Sequence, residues 1–502
     1  MSESNTPLVD AATQIIKQGF RLPTVGAGKQ VTIYISPIDA VAPVTVPAAR
    51  RLLYAKVLTG LLTGLGYDVR CHSLFADDEQ AVKNLTVSIW LRYLELCGEN
   101  IAYPGDCFQG DYIFDFAATV HRTYSNLWHV TAKDVVELLS QTNSCAEIYG
   151  RIQEWLGDEA LATIQHIGMH GIRRDIGSDL REIDVGFDSW PWASALLRDG
   201  SLTQVVNRLK ASDLVYSDGR CSYINLPPTD EATHHKQLLE NETGPTFFAV
   251  QLSHFVSVFG KVFGKKDVTS DLNIYIYDIG ETEHIKLINQ CVQSLGWAVA
   301  PIIEKPISSP YLSELGEVLP TSPLSPDFIS FREARQTIGL GNLQWLFAVQ
   351  QSSDSVKIDL SEEFDGLCFQ QCSSVARNPG IRNMNHDPTP WTTALTAHDI
   401  SQRQQAESFL HAITEFHDMV NKTIQQLEPA LLVNYYRNLC ERFLVYYNNH
   451  ELITPVFDTR TSGDPFSDNT RGEAGVVAAM AHTLHCLLTL IDPIIGSPKM
   501  NI

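Results

Sequence analysis

The chain has 502 residues, 44% of them hydrophobic and 19% charged, enough for two or three domains with full cores and ordinary for a globular protein. No apolar run reaches the roughly 18 residues that span a bilayer, and the opening MSESNTPLVD lacks the basic and apolar regions of a signal peptide, so no membrane association is expected. A net charge of −21 argues against DNA binding and against strong non-specific RNA binding, though it leaves room for a local basic patch, while ten scattered cysteines argue against a disulfide scaffold and fit a reduced cytoplasm.

Residues 1 to 30 carry one short amphipathic helix, DAATQIIKQGF, and a turn, VGAGK. VTIYIS then reads as a strand, APVTVPAA as a turn, and the segment from about Arg50 to Gly66 as a long helix. Nucleotide-binding α/β domains open in this way, with phosphates at the N-terminus of the first helix. Yet this turn holds no glycine, histidine or lysine. From about 84 to 220 the pattern is mostly helical, in NLTVSIWLRYLEL, YIFDFAATVHRTY, DVVELLSQ, EALATIQHIGMHGIRRDI and SLTQVVNRLKAS. Strand signals return in CSYINL, TFFAVQL and NIYIYDIG, and the last leads into a helix, HIKLINQCVQSLGW. The Pro/Ser-rich stretch 304–328 reads as a loop and 376–391 as a linker. Beyond it, HDISQRQQAESFLHAITEFHDMVNKTIQQL, ALLVNYYRNLCERFLVYYNN and GVVAAMAHTLHCLLTLIDPIIG repeat apolar residues at three- and four-residue intervals, predicting an all-α bundle.

Several of these segments, in this order from about residue 12 onward, resemble arginyl-tRNA synthetases, which are class I aminoacyl-tRNA synthetases. YISPIDAVAPVTVPAARR resembles the family's opening strand and signature turn, with Ser36, Pro43, Val46 and Arg50 in register after one inserted residue. SIWLRYLELCGENIAYPGDCFQGDYIFDFA, TFFAVQLSHF, DFISFREARQTIG, SSDSVKIDL and YYRNLCERFLVYYNN resemble five later segments. The resemblance implies an α/β, Rossmann-like catalytic domain at 31–375 with a helical insertion at about 84–245. A remnant N-terminal helix and linker at 1–30 would precede it. A linker at 376–390 and an all-α, DALR-type anticodon-binding domain at 391–502 would follow.

It also implies that working residues are missing. The two signature histidines, which help bind ATP, fall on Thr45 and Ala48, and the glycine between them on Pro47, leaving only Arg50. Neither Thr nor Ala supplies a charge-assisted donor, and Pro47 removes a backbone N–H from the turn. The second signature, Lys-Met-Ser-Lys, falls on Pro320, Thr321, Ser322 and Pro323, with both lysines replaced. The tyrosine and aspartate that recognise arginine fall on Phe247 and Gln251, and a neutral amide does not match a carboxylate's bidentate pairing with guanidinium. The asparagine of the opening turn becomes Ile38 or Asp39, depending on where the insertion is placed. Ser36, Ile38, Asp39, Phe247, Gln251, Gly280 and His284 are therefore the candidate pocket residues, and Asp39 would admit a cationic ligand or serve as an ordinary turn residue.

Tyr435, Arg437, Arg442, Tyr446 and Tyr447 share one bundle helix with Tyr436. Such residues either stack on tRNA bases or, for the tyrosines, form core. Residues 391–502 hold 7 Lys+Arg against 12 Asp+Glu, poor electrostatics for a tRNA platform. Cys368 and Cys372, His482 and His485, His234 and His235, and Cys71-His72 complete neither a metal site nor a catalytic triad. The resulting expectation is a synthetase-like protein without canonical aminoacylation, using neither ATP nor a metal. It would bind tRNA, a partner enzyme or an amino-acid-like ligand. The alternatives are a repurposed enzyme acting on an amino acid or aminoacyl-tRNA in the remodelled pocket and, last, a residual arginine–tRNA ligase.

Overall fold

The computed structural model describes residues 22–142, 144–198, 203–211, 215–226, 235–241, 244–259, 270–294, 301–362, 404–448, 480 and 483–488. The predicted helix before residue 22, Cys368, Cys372, His234 and His482 lie outside them, as do the linker and most of the third C-terminal helix.

Strand β1, Gln30–Ile35, lies in the middle of the domain. Its residues from Val31 onward are buried on both faces, which suits a parallel strand covered by helices and explains why it reads as a nearly continuous apolar run. A two-residue strand β2, Ile38–Asp39, leads to helix α1, Val46–Gly64. β3, Asp68–His72, and the short β4, Phe75–Ala76, follow. The insertion opens with helices α2, Glu79–Leu96, α3, Asp111–Tyr124, α4, Ala132–Gln141, α5, Cys145–Leu156, and α6, Asp158–Glu182. Two glycines let α6 approach its neighbours: a Cβ on Gly171 would sit 2.2 Å from the Phe116 ring, and one on Gly168 2.5 Å from Ile89.

The short helices α7, Ala193–Arg198, and α8, Thr203–Lys210, lead into four strands, β5, Val215–Ser217, β6, Ser222–Leu226, β7, His235–Asn241, and β8, Gly244–Pro245. These pair antiparallel in chain order, so the expected helical insertion also carries a sheet. Next comes α9, Phe247–Phe259. This is the segment read as the strand TFFAVQL, and the correction has a simple cause. Nearly every position from Phe248 to Val256 is buried, so no periodicity separates a short buried helix from a buried strand.

The core resumes with β9, Leu272–Asp278, a 3₁₀ turn at Ile279–Glu281, α10, Thr282–Ser294, and β10, Ile302–Ile307. The main sheet runs β10-β9-β1-β3, all parallel. The stretch expected to be a loop at 304–328 contains the rest of β10 and a hairpin of β11, Tyr311–Glu314, and β12, Glu317–Leu319. Its prolines misled: Pro306 lies on an edge strand, Pro310 just before a strand and Pro320 just after one, all positions that tolerate proline. The hairpin turns at Leu315 and Gly316, both at positive φ.

Helices α11, Phe331–Ile338, and α12, Leu340–Val349, precede β13, Lys357–Asp359, which pairs with β11. The C-terminal bundle begins with α13, Gln404–Thr414, and α14, Phe416–Gln426, two helices where one long helix was expected, broken at Glu415. It continues with α15, Pro429–Asn448. The bundle docks through Tyr54 Oη to the Leu427 carbonyl at 2.6 Å and Asn434 Nδ2 to the Val349 carbonyl at 2.6 Å. Buried Glu428 adds a lock, accepting from Ser352 N–H at 3.1 Å and pairing with Lys305 at 3.2 Å.

The insertion is tied to α11 by a buried carboxylate. Asp179, 1% exposed, receives Arg332 at 3.1 Å and Arg335 at 3.2 Å. Removing one partner of a buried pair strands the other, at a cost of about 3–5 kcal/mol. Asp179→Ala is expected to lower the unfolding free energy by about 3 kcal/mol in urea titrations, scaled down if Glu182 keeps Arg335 compensated.

Candidate functional site

The candidate site lies where the carboxyl ends of β1, β9 and β3 meet the N-terminus of α1, the usual ligand crevice of an open α/β sheet. The first turn of α1 is built as a closed cap. Thr45 is its N-cap, and its hydroxyl accepts the Ala48 N–H at 3.2 Å. Pro47 has no N–H to give. Thr45 also forms an antiparallel bridge with Ser330, in which Phe331 N–H donates to the Val44 carbonyl at 2.8 Å. Of the three residues that open α1, Ala48 has its N–H capped, Pro47 has none, and Val46 is fully buried.

Arg50 does not face solvent. It is 2% exposed, and its guanidinium donates to the carbonyls of Ser308 and, at 3.0 Å, Gln351. Burial pulls its pKa down to about 10, with Asp354, Asp278 and Glu428 opposing the shift. It joins α1 to the ends of β10 and α12 and is a structural arginine.

The second signature segment is an ordered turn. The Pro320 carbonyl accepts Ile329 N–H at 3.1 Å, the Ser322 carbonyl accepts Ser325 N–H at 3.0 Å, and the Pro323 carbonyl accepts Gln109 N–H at 3.3 Å. The flanking cations are committed elsewhere, Lys305 to Glu428 and Arg332 to Asp175 and Asp179.

An acidic cleft takes the place of these missing cations. Ile38 is buried beside Phe75, so Asp39 is the residue of that pair that reaches the open side. Arg51, 8% exposed, lies 3.7 Å from Asp278 and 3.9 Å from Glu281. Asp39 is exposed at the surface although protein surrounds much of it. Burial raises its pKa, Arg51 lowers it, and Asp78 adds to the rise. Burial likewise raises the pKa of Glu281, against Arg51. Ser36 Oγ is fully buried; it lies close enough to Glu281 to favour the carboxylate but makes no hydrogen bond of standard geometry.

Gln251, 2% exposed, accepts through Oε1 from His284 Nε2 at 2.6 Å and donates through Nε2 to Tyr275 Oη at 3.5 Å. Because the partner atom is the amide oxygen, His284 carries the proton on Nε2 in this arrangement. Gly280 N–H is engaged with Asp278 Oδ1 at 2.8 Å. Phe247 is half-buried against Leu74, Ala193 and Val250. Arg51, Asp278 and Glu281 were not singled out in the sequence. The one trace they left was the charge of the doublet Arg50-Arg51 and of the segment DIGE.

The other sequence candidates are structural. Burial raises the pKa of the Cys71 thiol to about 11, and it contacts Thr59 Oγ1 at 3.3 Å. Tyr435 and Tyr446 are 7% and 0% exposed, packed in the bundle, which is the core alternative of their two readings. Tyr435 Oη donates to the Ala412 carbonyl, and Arg442 is held by Ser408 and Asn438. Arg437 is exposed and lies 3.8 Å from Glu441. The Tyr447 side chain lies outside the described residues.

Residues 371–465 match the family model of the DALR anticodon binding domain. Over 447 residues the chain is 24% identical to the arginine–tRNA ligase of Thioalkalivibrio sulfidiphilus, covering 85% of this chain and 74% of that one. The ligase of Legionella pneumophila (strain Philadelphia 1) is 24% identical over 458 residues, 88% and 76% of the two chains. A putative arginyl-tRNA synthetase from Campylobacter jejuni superposes with a TM-score of 0.69 at 16% identity, over 97% of this chain and 98% of that one. For the Thermus thermophilus arginyl-tRNA synthetase the TM-score is 0.58 at 13% identity, over 98% and 86%. The parallel sheet with its helical insertion and following helical bundle is the fold of a class I aminoacyl-tRNA synthetase. Within that class, the chain is similar in sequence to arginine–tRNA ligases, and its C-terminal part matches their type of anticodon binding domain. Among the described residues no helix is long and apolar enough to cross a membrane.

One buried histidine beside the cleft gives a pH prediction. His254 is 5% exposed, its Nδ1 lies 3.0 Å from Tyr34 Oη, and burial together with nearby His72 lowers its pKa to about 4. The unfolded chain therefore takes up this proton near pH 6.5 and the folded chain only near 4. Stability from this group is complete above about pH 6.5 and falls as pH drops towards 4, by at most on the order of 3 kcal/mol. His254→Gln is expected to flatten the unfolding free energy between pH 6.5 and 4, measured by denaturant titration.

Proposed function

We propose that this arginyl-tRNA synthetase-like protein does not activate arginine with ATP, and that it binds a small amino-acid-like ligand through an ammonium group at the Asp39–Glu281 cleft. The observation that carries the reading is the first turn of α1, where Thr45 caps the Ala48 amide, Pro47 has no N–H and Val46 is fully buried. Removing one preorganised donor of this kind typically costs about 3–4 kcal/mol, or roughly 100- to 1000-fold in rate. Here both histidines and both lysines of the two signatures are absent together, and their effects do not simply add. The cleft carries Asp39, Asp278 and Glu281 around a single Arg51, so its net charge favours a cation. Gln251, bonded to His284, leaves a neutral amide at the position of the family's guanidinium-pairing carboxylate. The match to a DALR anticodon binding domain supports tRNA as a second partner. Burial of Tyr435 and Tyr446 leaves Arg437 as the exposed side chain among the described members of that set.

ATP–pyrophosphate exchange with arginine, run beside an active family enzyme, is expected to fall at least about 1000-fold below it. Exchange within tenfold of that enzyme would overturn the proposal. In a thermal-shift screen of amino acids, binding that disappears in both Asp39→Asn and Glu281→Gln would support the ligand assignment. Binding unaffected by either substitution would remove it.

A further inference from the structure

The insertion holds a second cluster, away from the cleft and not singled out in the sequence. Cys107 lies in the loop between α2 and α3, and Cys145 opens α5. Both side chains are fully buried, and their Sγ atoms are 2.7 Å apart. Each is fixed by its neighbours. Both carboxylate oxygens of Asp106 accept the Cys145 N–H, at 3.0 and 3.2 Å, while the Asp106 carbonyl accepts Asn84 Nδ2 at 3.2 Å. On the other side of Cys107, Phe108 N–H donates to Ser88 Oγ at 2.9 Å. Little backbone movement separates this pair from a bond.

We infer that Cys107 and Cys145 are a modification site, a thiol pair that low-molecular-weight disulfides of the glutathione class convert to an intrachain disulfide. The Cys107 thiolate attacks one sulfur of the oxidant, forming a mixed disulfide and releasing one thiolate, which is protonated by solvent. Cys145 then gives its proton to the second departing thiolate and attacks the Cys107 sulfur. Two protein thiols are oxidised and one small disulfide is reduced to two thiols. Both thiols are fully buried, so the oxidant reaches Cys107 only on local opening of the loop, and the second step then joins two sulfurs that already lie side by side.

Asp106, Cys107 and Cys145 also form a possible ligand triad for a metal ion. Spacing favours the disulfide. Zinc–thiolate bonds of about 2.3 Å place two thiolates on one tetrahedral ion about 3.8 Å apart, whereas a disulfide needs about 2.05 Å. The bond would also bear on the candidate site. Two and three residues beyond Cys107, Gln109 N–H holds the Pro323 carbonyl, and Gly110 packs so closely on Phe328 that a Cβ would lie 3.2 Å from its ring. Oxidation would therefore stiffen the segment that pins the second signature turn.

The test uses the full chain, incubated with glutathione disulfide, alkylated, digested and mapped by mass. The expected result is a linked pair of peptides containing Cys107 and Cys145, two hydrogens lighter than their sum and separated by dithiothreitol. A melting midpoint several degrees higher should accompany it, since the bridge closes a long loop. Cys97→Ser should leave the link intact and Cys145→Ala should abolish the rise. Should Cys145→Ala fail to fold, the mass map of the unaltered chain decides alone. Both cysteines recovered alkylated, linkage to other cysteines, or stoichiometric zinc released from the pair by a mercurial would each overturn the inference.

Discussion

Everything about the candidate site depends on how the N-terminus of α1 is closed. A helix start leaves N–H groups that need partners, and this positive end is what makes such positions good phosphate sites. Here Thr45 satisfies one amide from within, Pro47 deletes another, and the bridge to Ser330 engages the surrounding backbone. Arg50 then fixes the helix to the carbonyls of Ser308 and Gln351, on two neighbouring segments that follow β10 and α12. A guanidinium committed in this way, at 2% exposure, holds the scaffold together. The arrangement keeps the class I synthetase fold with a helix start whose Ala48 amide is capped and whose Pro47 has no N–H.

The opposite wall of the crevice carries the complementary change. Cations that would neutralise a leaving pyrophosphate are absent from the 320–323 turn, whose carbonyls are instead tied to Ile329, Ser325 and Gln109. Three carboxylates gather around Arg51, and burial raises the pKa of both Asp39 and Glu281. Carboxylates whose charge is disfavoured by burial gain from an incoming ammonium group, whereas a triphosphate would meet repulsion. Both walls favour the same sign of ligand charge.

The sequence made the core legible where periodicity is strong. VTIYIS and NIYIYDIG became β1 and β9, and the helices of the insertion fell where their apolar spacing placed them. TFFAVQL failed because a fully buried helix has no polar face to announce its period. The 304–328 hairpin failed because its prolines, read as loop markers, stand on an edge or at strand ends. For the site, the replaced signature residues were visible from resemblance alone, but Arg51 meeting Asp278 and Glu281 was not. That contact joins residues more than two hundred positions apart, and only the pairing of β1 with β9 brings them together. The aromatic and basic helix was ambiguous for a related reason. Tyr435 and Tyr446 have helical spacing that serves a core and a binding face equally well, and packing against Phe416 and Ala412 decides it.

The closed N-terminus is the central claim, and binding of magnesium–ATP to the purified full chain tests it without requiring any reaction. Isothermal titration in the presence and absence of arginine is expected to give no saturable heat with nucleotide up to millimolar concentration. Saturable binding with a Kd near 1 mM or tighter, about −4 kcal/mol or better, would contradict the account and return the site to the nucleotide-binding role its layout suggests.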